Sequence, residues 1–219
     1  TIRSLEPQMH QEFALKVNKI FHISLKFKFK HGKNLVMASG NRIWFISVTS
    51  AYAEIKRIVS GNQNAKITII AYESLTCSHC ANFHKDVYPS LKKDFIDTGL
   101  VKIEFRHFPL DIAALNASKI SLCKQDQSLE ILEKLYNNQQ AWIKGKEIEE
   151  VNNNIKEFLK NAGFDIDFEK CINNKEIEDY VLNDRIEGTK NFKVNSTPTI
   201  IINNKKLSLI HISEPTRLR

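Results

Sequence analysis

Lys66-Ile67-Thr68-Ile69-Ile70-Ala71-Tyr72, followed shortly by Thr76-Cys77-Ser78-His79-Cys80, is the stretch that decides the fold. The first run is apolar and rich in β-branched residues, and Gly61-Asn62-Gln63-Asn64 stands before it, so it reads as a buried strand. After Cys80 the pattern turns helical to about Ile96, with Phe83, Val87 and Leu91 recurring at four-residue spacing on one expected inward face. Pro89 predicts a kink, and Asp97-Thr98-Gly99 a stop. Leu100-Val101-Lys102-Ile103-Glu104-Phe105-Arg106 alternates as a second strand. Strand, helix and strand make a unit of about 40 residues, which favours a parallel pair joined by a right-handed crossover.

Downstream, Asp111 to Phe192 reads as helices. Ile112, Leu115, Lys119 and Leu122 fit one, and Leu129, Ile131, Leu132, Leu135 and Tyr136 another. Glu147 to Leu159 fits a third, stopped near Gly163. A short helix around Phe168 and a longer one from Lys175 to Lys190 follow. Strand pattern returns at Thr199-Ile200-Ile201-Ile202, with a turn at Asn203-Asn204. The order predicts an α/β fold at 54–207 with an all-helical insertion at about 111–190.

The chain has 219 residues, 42% of them hydrophobic and 26% charged, which excludes disordered and collagen-like classes. No apolar run reaches the roughly 18 residues that span a bilayer. The formal net charge of +7 belongs to the ends. Residues 1–53 carry 8 Lys and Arg against 2 acids, whereas residues 54–207 carry 22 of each. A nucleic-acid-binding body would hold its positive field on the fold itself, so no nucleic-acid partner is expected.

Residues 1–53 read as a leader or a segment outside the domain. Lys26 to Lys30 alternates like a strand but stands alone. Residues 37–53 follow a signal-peptide order: Arg42, a short apolar core from Ile43 to Val48, and Ala51-Tyr52-Ala53 as a small-x-small site. Ser47, Thr49 and Ser50 dilute that core, and a strand or helix docked on the body is the other reading. Residues 208–219, ending Ile212-Ser213-Glu214-Pro215-Thr216-Arg217, look like an artefact of adapter read-through and are set aside.

Cys77-Ser78-His79-Cys80 sits at the start of a helix, where unpaired N–H groups and the helix dipole favour an anion. A Cys77 thiolate is such an anion, and a protonated His79 would stabilise it further. Cys80 is nearly one turn on, so it can close a small disulfide with Cys77. This arrangement supports thiol–disulfide exchange, with Cys77 as nucleophile and Cys80 as resolving thiol. No cofactor beyond the redox-active Cys77–Cys80 disulfide is implied. The alternatives are half of a zinc site, helped by His79 or His84, and a coincidental CxxC. Zinc calls for a second close pair, and Cys123 and Cys171 lie far apart in sequence, so no metal is assigned. Thr197-Pro198 precedes the returning strand and marks an edge, a turn or a cis bond.

The run from Ile69 to His84 resembles the active-site region of DsbA-like thiol:disulfide oxidoreductases. Phe105-Arg106-His107-Phe108-Pro109-Leu110-Asp111 and Ser196-Thr197-Pro198-Thr199 are similar to later motifs of that family, in family order, and the likeness is greatest to the α-proteobacterial variety. It covers about residues 55–206. The resemblance implies a thioredoxin-like fold with the helical insertion and a cis Pro198 packed against the CxxC. It implies that Thr197 shapes the substrate groove. It implies a periplasmic or otherwise extracytoplasmic, monomeric oxidase that donates its disulfide to reduced client proteins and is reoxidised by a membrane partner. An isomerase or reductase, or a zinc-binding interaction module, is the alternative. Some relatives of this sort carry a second, structural disulfide in the insertion; Cys123 and Cys171 would form it, or remain two buried thiols.

Two departures from the family stand out. The acid often found six residues before the first cysteine is Ala71 here, and Glu73 stands two later on the same strand face. The family also continues with another strand and a covering helix, so the sheet is expected to lack its last strand and helix and the chain to be poorly stable. Trp142 reads as packing, His107 as a surface or satisfied histidine, and Glu147-Ile148-Glu149-Glu150 as a solvated helix start.

Overall fold

The computed structural model describes residues 26–30, 34–39, 42–47 and 55–206, which belong to two units divided after Glu54. In the first, β1 (Lys26–Lys30), β2 (Asn34–Ser39) and β3 (Arg42–Ser47) form an antiparallel meander. The alternating run at Lys26 is therefore not alone, since Lys26 pairs with Ala38 and Lys30 with Asn34. The apolar run at Ile43–Ser47 is the third strand, with Trp44 opposite Met37. The small-x-small site at Ala51-Tyr52-Ala53 and the tail at 208–219 lie outside the described residues.

The second unit is built on a mixed sheet of order β4–β6–β5–β7–β8. These strands are β4 (Ile58–Ser60), β5 (Ile67–Glu73), β6 (Val101–His107), β7 (Thr199–Ile202) and β8 (Lys205–Lys206). β5 and β6 are parallel, from Ile67 opposite Val101 to Glu73 opposite His107, as the strand–helix–strand reading requires. Alternation along β5 serves two layers. Ile69 and Ala71 enter the main core with Ile103, Phe105 and Ile200, while Ile70 and Tyr72 join Phe108, Val194 and Ile201 on the opposite face. The expectation that the last strand is missing needs correction, because β8 pairs antiparallel with β7. Asn203 and Asn204 both take positive φ, 46° and 66°, and so close a two-residue hairpin that asparagine tolerates better than most residues.

The helical run after the CxxC is less regular than its spacing predicts. α1 (Ser78–Asn82) and α2 (Tyr88–Leu91) alternate with π-helical turns at Phe83–Val87 and Lys92–Ile96. Pro89 falls in the first turn of α2, directly after the π-helical turn at Phe83–Val87. The buried side chains of this run are Cys80, His84, Tyr88 and Ile96, with Phe83 and Leu91 partly buried against the core. Val87, expected inside, is 44% exposed.

Six further helices occupy Ile112 to Phe192: α3 (Ile112–Cys123), α4 (Ser128–Asn137), α5 (Gln139–Trp142), α6 (Ile148–Asn161), α7 (Phe168–Ile172) and α8 (Lys175–Phe192). Asp111, Asp167 and Asn174 cap α3, α7 and α8 with side-chain oxygens. α3 is buried on nearly every side, and this defeats a periodicity argument. Lys119 is buried in it, with Nζ donating to Glu178 at 2.8 Å, while Ile112, expected inward, is exposed. Trp142 is fully buried and its indole N–H donates to the Leu135 carbonyl, the packing role expected of it. α8 crosses the second sheet face at Gly188, where a Cβ would fall 2.7 Å from the Tyr72 ring. Asp184 of α8 accepts from Arg57 and from the His107 backbone N–H. His107 is itself buried, contrary to the surface reading, and burial pushes its pKa down to about 4.

Candidate active site

Cys77 and Cys80 sit where β5 hands over to α1, and both are free thiols. Cys77 is the N-cap residue with extended backbone, so its side chain stands beside the unpaired N–H groups of the first turn. It is partly exposed, whereas Cys80 is fully buried. That difference separates their chemistry. The Cys77 thiol is lowered from the ordinary 9.0 to about 5. The largest cause is the hydrogen bond from Cys80; burial opposes it, and the Thr197 side chain and the backbone N–H groups of Cys80 and His79 reinforce it. Cys80 is pushed far above the ordinary thiol range, first by burial, then by its bond to Cys77 and by the charge of Glu73.

The Thr197–Pro198 bond is cis and brings this loop against the CxxC. The Cys77 thiol donates to the Thr197 carbonyl at 3.3 Å, a contact that favours the neutral thiol. The Thr197 hydroxyl is buried with no partner of its own among the described residues, so it is free to donate to the thiolate instead. Of the residues selected from sequence, Cys77, Cys80, Thr197 and Pro198 therefore meet at one place. His79 meets them through its backbone N–H, and its side chain is exposed. Cys123 and Cys171 lie apart from this group and are bonded to each other, with Cα atoms 5.8 Å apart, tying the end of α3 to α7. Among the described residues no three His, Cys, Asp or Glu side chains converge as metal ligands.

Several neighbours outside the selected site residues complete the surroundings. Glu73, the displaced acid, is buried and faces His84 at 2.8 Å. The His84 ring stacks on Tyr136, with centroids 4.1 Å apart and planes 12° off parallel. Glu73 Oε1 and His84 Nδ1 have no further partner among the described residues. Asp111 accepts from the Thr76 hydroxyl at 2.7 Å and bonds the α3 start to the residue before Cys77. Gln139, buried at the start of α5, donates through Nε2 to the carbonyls of Leu75 at 2.8 Å and of Cys77 at 3.1 Å. Glu73 was visible as an acid on the right strand face. Gln139 stood in a polar run between two helices and gave no signal.

A thioredoxin-like sheet with a CxxC at a helix start, a cis proline opposite it and helices inserted before the proline strand defines the class of thiol–disulfide proteins. The family model described as Thioredoxin matches residues 53–217, and the chain belongs to that family, in its DsbA-like branch. The crystal structure of Wolbachia pipientis alpha-DsbA1 is 31% identical with a TM-score of 0.62, over 70% of this chain and 79% of that one. A Rickettsia bellii (strain RML369-C) protein that carries the name of a protein-disulfide oxidoreductase is 29% identical over 153 residues, 67% of this chain and 56% of its own length. A Bacillus anthracis protein named for disulfide bond formation is 28% identical over 152 residues, 65% of this chain and 68% of its own length. The chain spans about half the length of the rickettsial relatives that it matches over 153 to 155 residues.

Proposed function

We propose that this chain carries the catalytic body of a thiol:disulfide oxidoreductase that donates the Cys77–Cys80 disulfide to reduced, folding extracytoplasmic proteins. The observation that carries the reading is the unlike setting of two sulfurs in one turn, Cys77 partly exposed at the helix start and Cys80 buried, which lowers the first thiol to about 5 and raises the second far above its ordinary range. In the oxidised protein a client thiolate attacks Cys77, the more accessible sulfur. The S–S bond to Cys80 breaks, and Cys80 leaves and takes up a proton. The client's second thiolate then attacks the client sulfur of the mixed disulfide, and Cys77 departs as a stabilised thiolate that needs no proton. The client has lost two electrons and the protein has gained them. A thiolate so stabilised favours the reduced form, which makes the disulfide a strong oxidant. A membrane partner would return it to the disulfide form.

Thr197 with Pro198 would position the client backbone, and His79 would add positive charge when protonated. The bonded Cys123–Cys171 pair supports an oxidising compartment, because such bridges seldom persist among cytosolic thiols. Equilibration with glutathione tests the proposal. The expected result is a pair that remains reduced while glutathione becomes oxidised. A pair that stays oxidised in a large excess of reduced glutathione would point to a reductase instead.

A further inference from the structure

Gln139 is a buried amide with no part in the exchange chemistry described above, and its two hydrogen bonds end on the active-site turn. It comes from the helical insertion, 62 residues along the chain from Cys77. Its Nε2 is the donor to both Leu75 O and Cys77 O. The Cys77 carbonyl also accepts the first helical bond of α1, from the Ala81 N–H at 3.1 Å. That oxygen therefore has two donors, and the peptide unit between Cys77 and Ser78 is fixed in orientation. The same insertion segment reaches the second sulfur's surroundings through Tyr136, stacked on His84, and is itself pinned by the Trp142–Leu135 bond.

We infer that Gln139 is a positioning residue for Cys77: by holding the Leu75 and Cys77 carbonyls it keeps the sulfur aligned with the first N–H groups of α1, and it makes the helical insertion part of the redox site. This rests on the reading of Cys77 as the attacking sulfur. Two forces act together. Without Gln139 the Leu75 carbonyl loses this donor and the Cys77 carbonyl keeps only its helical bond from Ala81, so more negative charge on the turn is left uncompensated near the thiolate, which is repulsive. A turn that has lost its clamp also spreads over more conformations, so the N–H groups of His79 and Cys80 point at the sulfur for a smaller fraction of the time. The clamp thus favours the anion without touching it.

The experiment is a pH titration of Cys77 in the full chain, followed by thiolate absorbance and by alkylation rate, in the parent and in Gln139→Leu. Leucine keeps most of the volume and removes both donors. The expected result is an upward move of the Cys77 midpoint by about one unit, the worth of one to two neutral hydrogen bonds, with alkylation several-fold slower on the acid side. A folded Gln139→Leu that titrates as the parent does would overturn the inference, whatever its melting temperature. Should that variant not fold, the parent answers alone: the Gln139 side-chain amide proton resonances should shift with the Cys77 titration, and resonances that stay still across it would equally overturn the inference. A parent whose Cys77 titrates like a free thiol would instead remove the proposed function.

Discussion

The chain holds two cysteine pairs and treats them in opposite ways. Cys77 and Cys80 share one helical turn and stand as free thiols with divergent acidities. Cys123 and Cys171 are 48 residues apart and bonded. The near pair closes almost no loop, so a bond between them restricts the unfolded chain little. Its folded surroundings reward the broken state, because Cys77 gains as a thiolate. The distant pair closes a long loop and joins two helices of the insertion, so its bond restricts the unfolded chain strongly. What distinguishes an exchangeable disulfide from a permanent one is the stabilisation that waits for the separated sulfurs.

The sharpest way to break this comparison is to remove one sulfur at a time. Cys77→Ser should abolish exchange with a reduced client peptide. Cys80→Ser, given glutathione disulfide, should retain attack by Cys77, release one glutathione thiolate and accumulate a stable mixed disulfide, visible as an added mass on intact protein. Equal loss in both variants without any adduct would show that the sulfurs are not differentiated.

Next in size is the other pair. Replacing Cys123 and Cys171 by Ala should cost about 4 kcal/mol in the chain-entropy picture, read as a lower denaturant midpoint. The Cys77 titration should be unchanged. A shift there would mean that the bridge also shapes the site.

A pH series sharpens the contrast at intermediate size. Folded, reduced Cys77 ionises near 5 against an ordinary 9.0, so between those values the unfolded chain holds a proton that the folded one has released. The Cys77 contribution to the stability of the reduced protein should therefore rise with pH across that window, be complete above about 9 and be lost as pH falls through 5. The oxidised protein should lack this dependence, and so should reduced Cys77→Ser. Parallel melting curves for the two redox states at every pH would contradict the assignment.

The smallest expected effect belongs to His79. Its side chain is exposed and its contribution to Cys77 runs through the backbone, so His79→Ala should move the Cys77 midpoint by well under one unit. A larger move would return the imidazole to the role first read for it from sequence.

How much was legible varies with the kind of interaction. β5, β6 and their parallel pairing could be read because a buried strand needs a continuous apolar run, and Lys66 to Tyr72 supplies one. The inward face after the CxxC could be read only in part. Phe83 and Leu91 do pack partly buried against the core, but Val87 between them is exposed, and the buried side chains are His84 and Tyr88, in a run broken by two π-helical turns. α3 was misread at Ile112 because a helix buried almost all round has no polar side to set its phase. Glu73 was legible as an acid on the correct face, yet its partner was not, since His84 meets it only when helix and strand pack.

The sequence by itself determined the chemistry and its local stage: two sulfurs three residues apart, a strand before them, a helix after them, a Thr-Pro pair before the returning strand. These are near-neighbour facts, and backbone sterics with helix-end electrostatics make them readable. The tertiary structure decided which sulfur is buried, that Thr197 faces Cys77, that Glu73 pairs with His84, and that Gln139 clamps the turn from a distant helix. Those contacts join residues far apart in the chain, and no local propensity encodes them. They exist only once the insertion closes over the sheet and water is excluded.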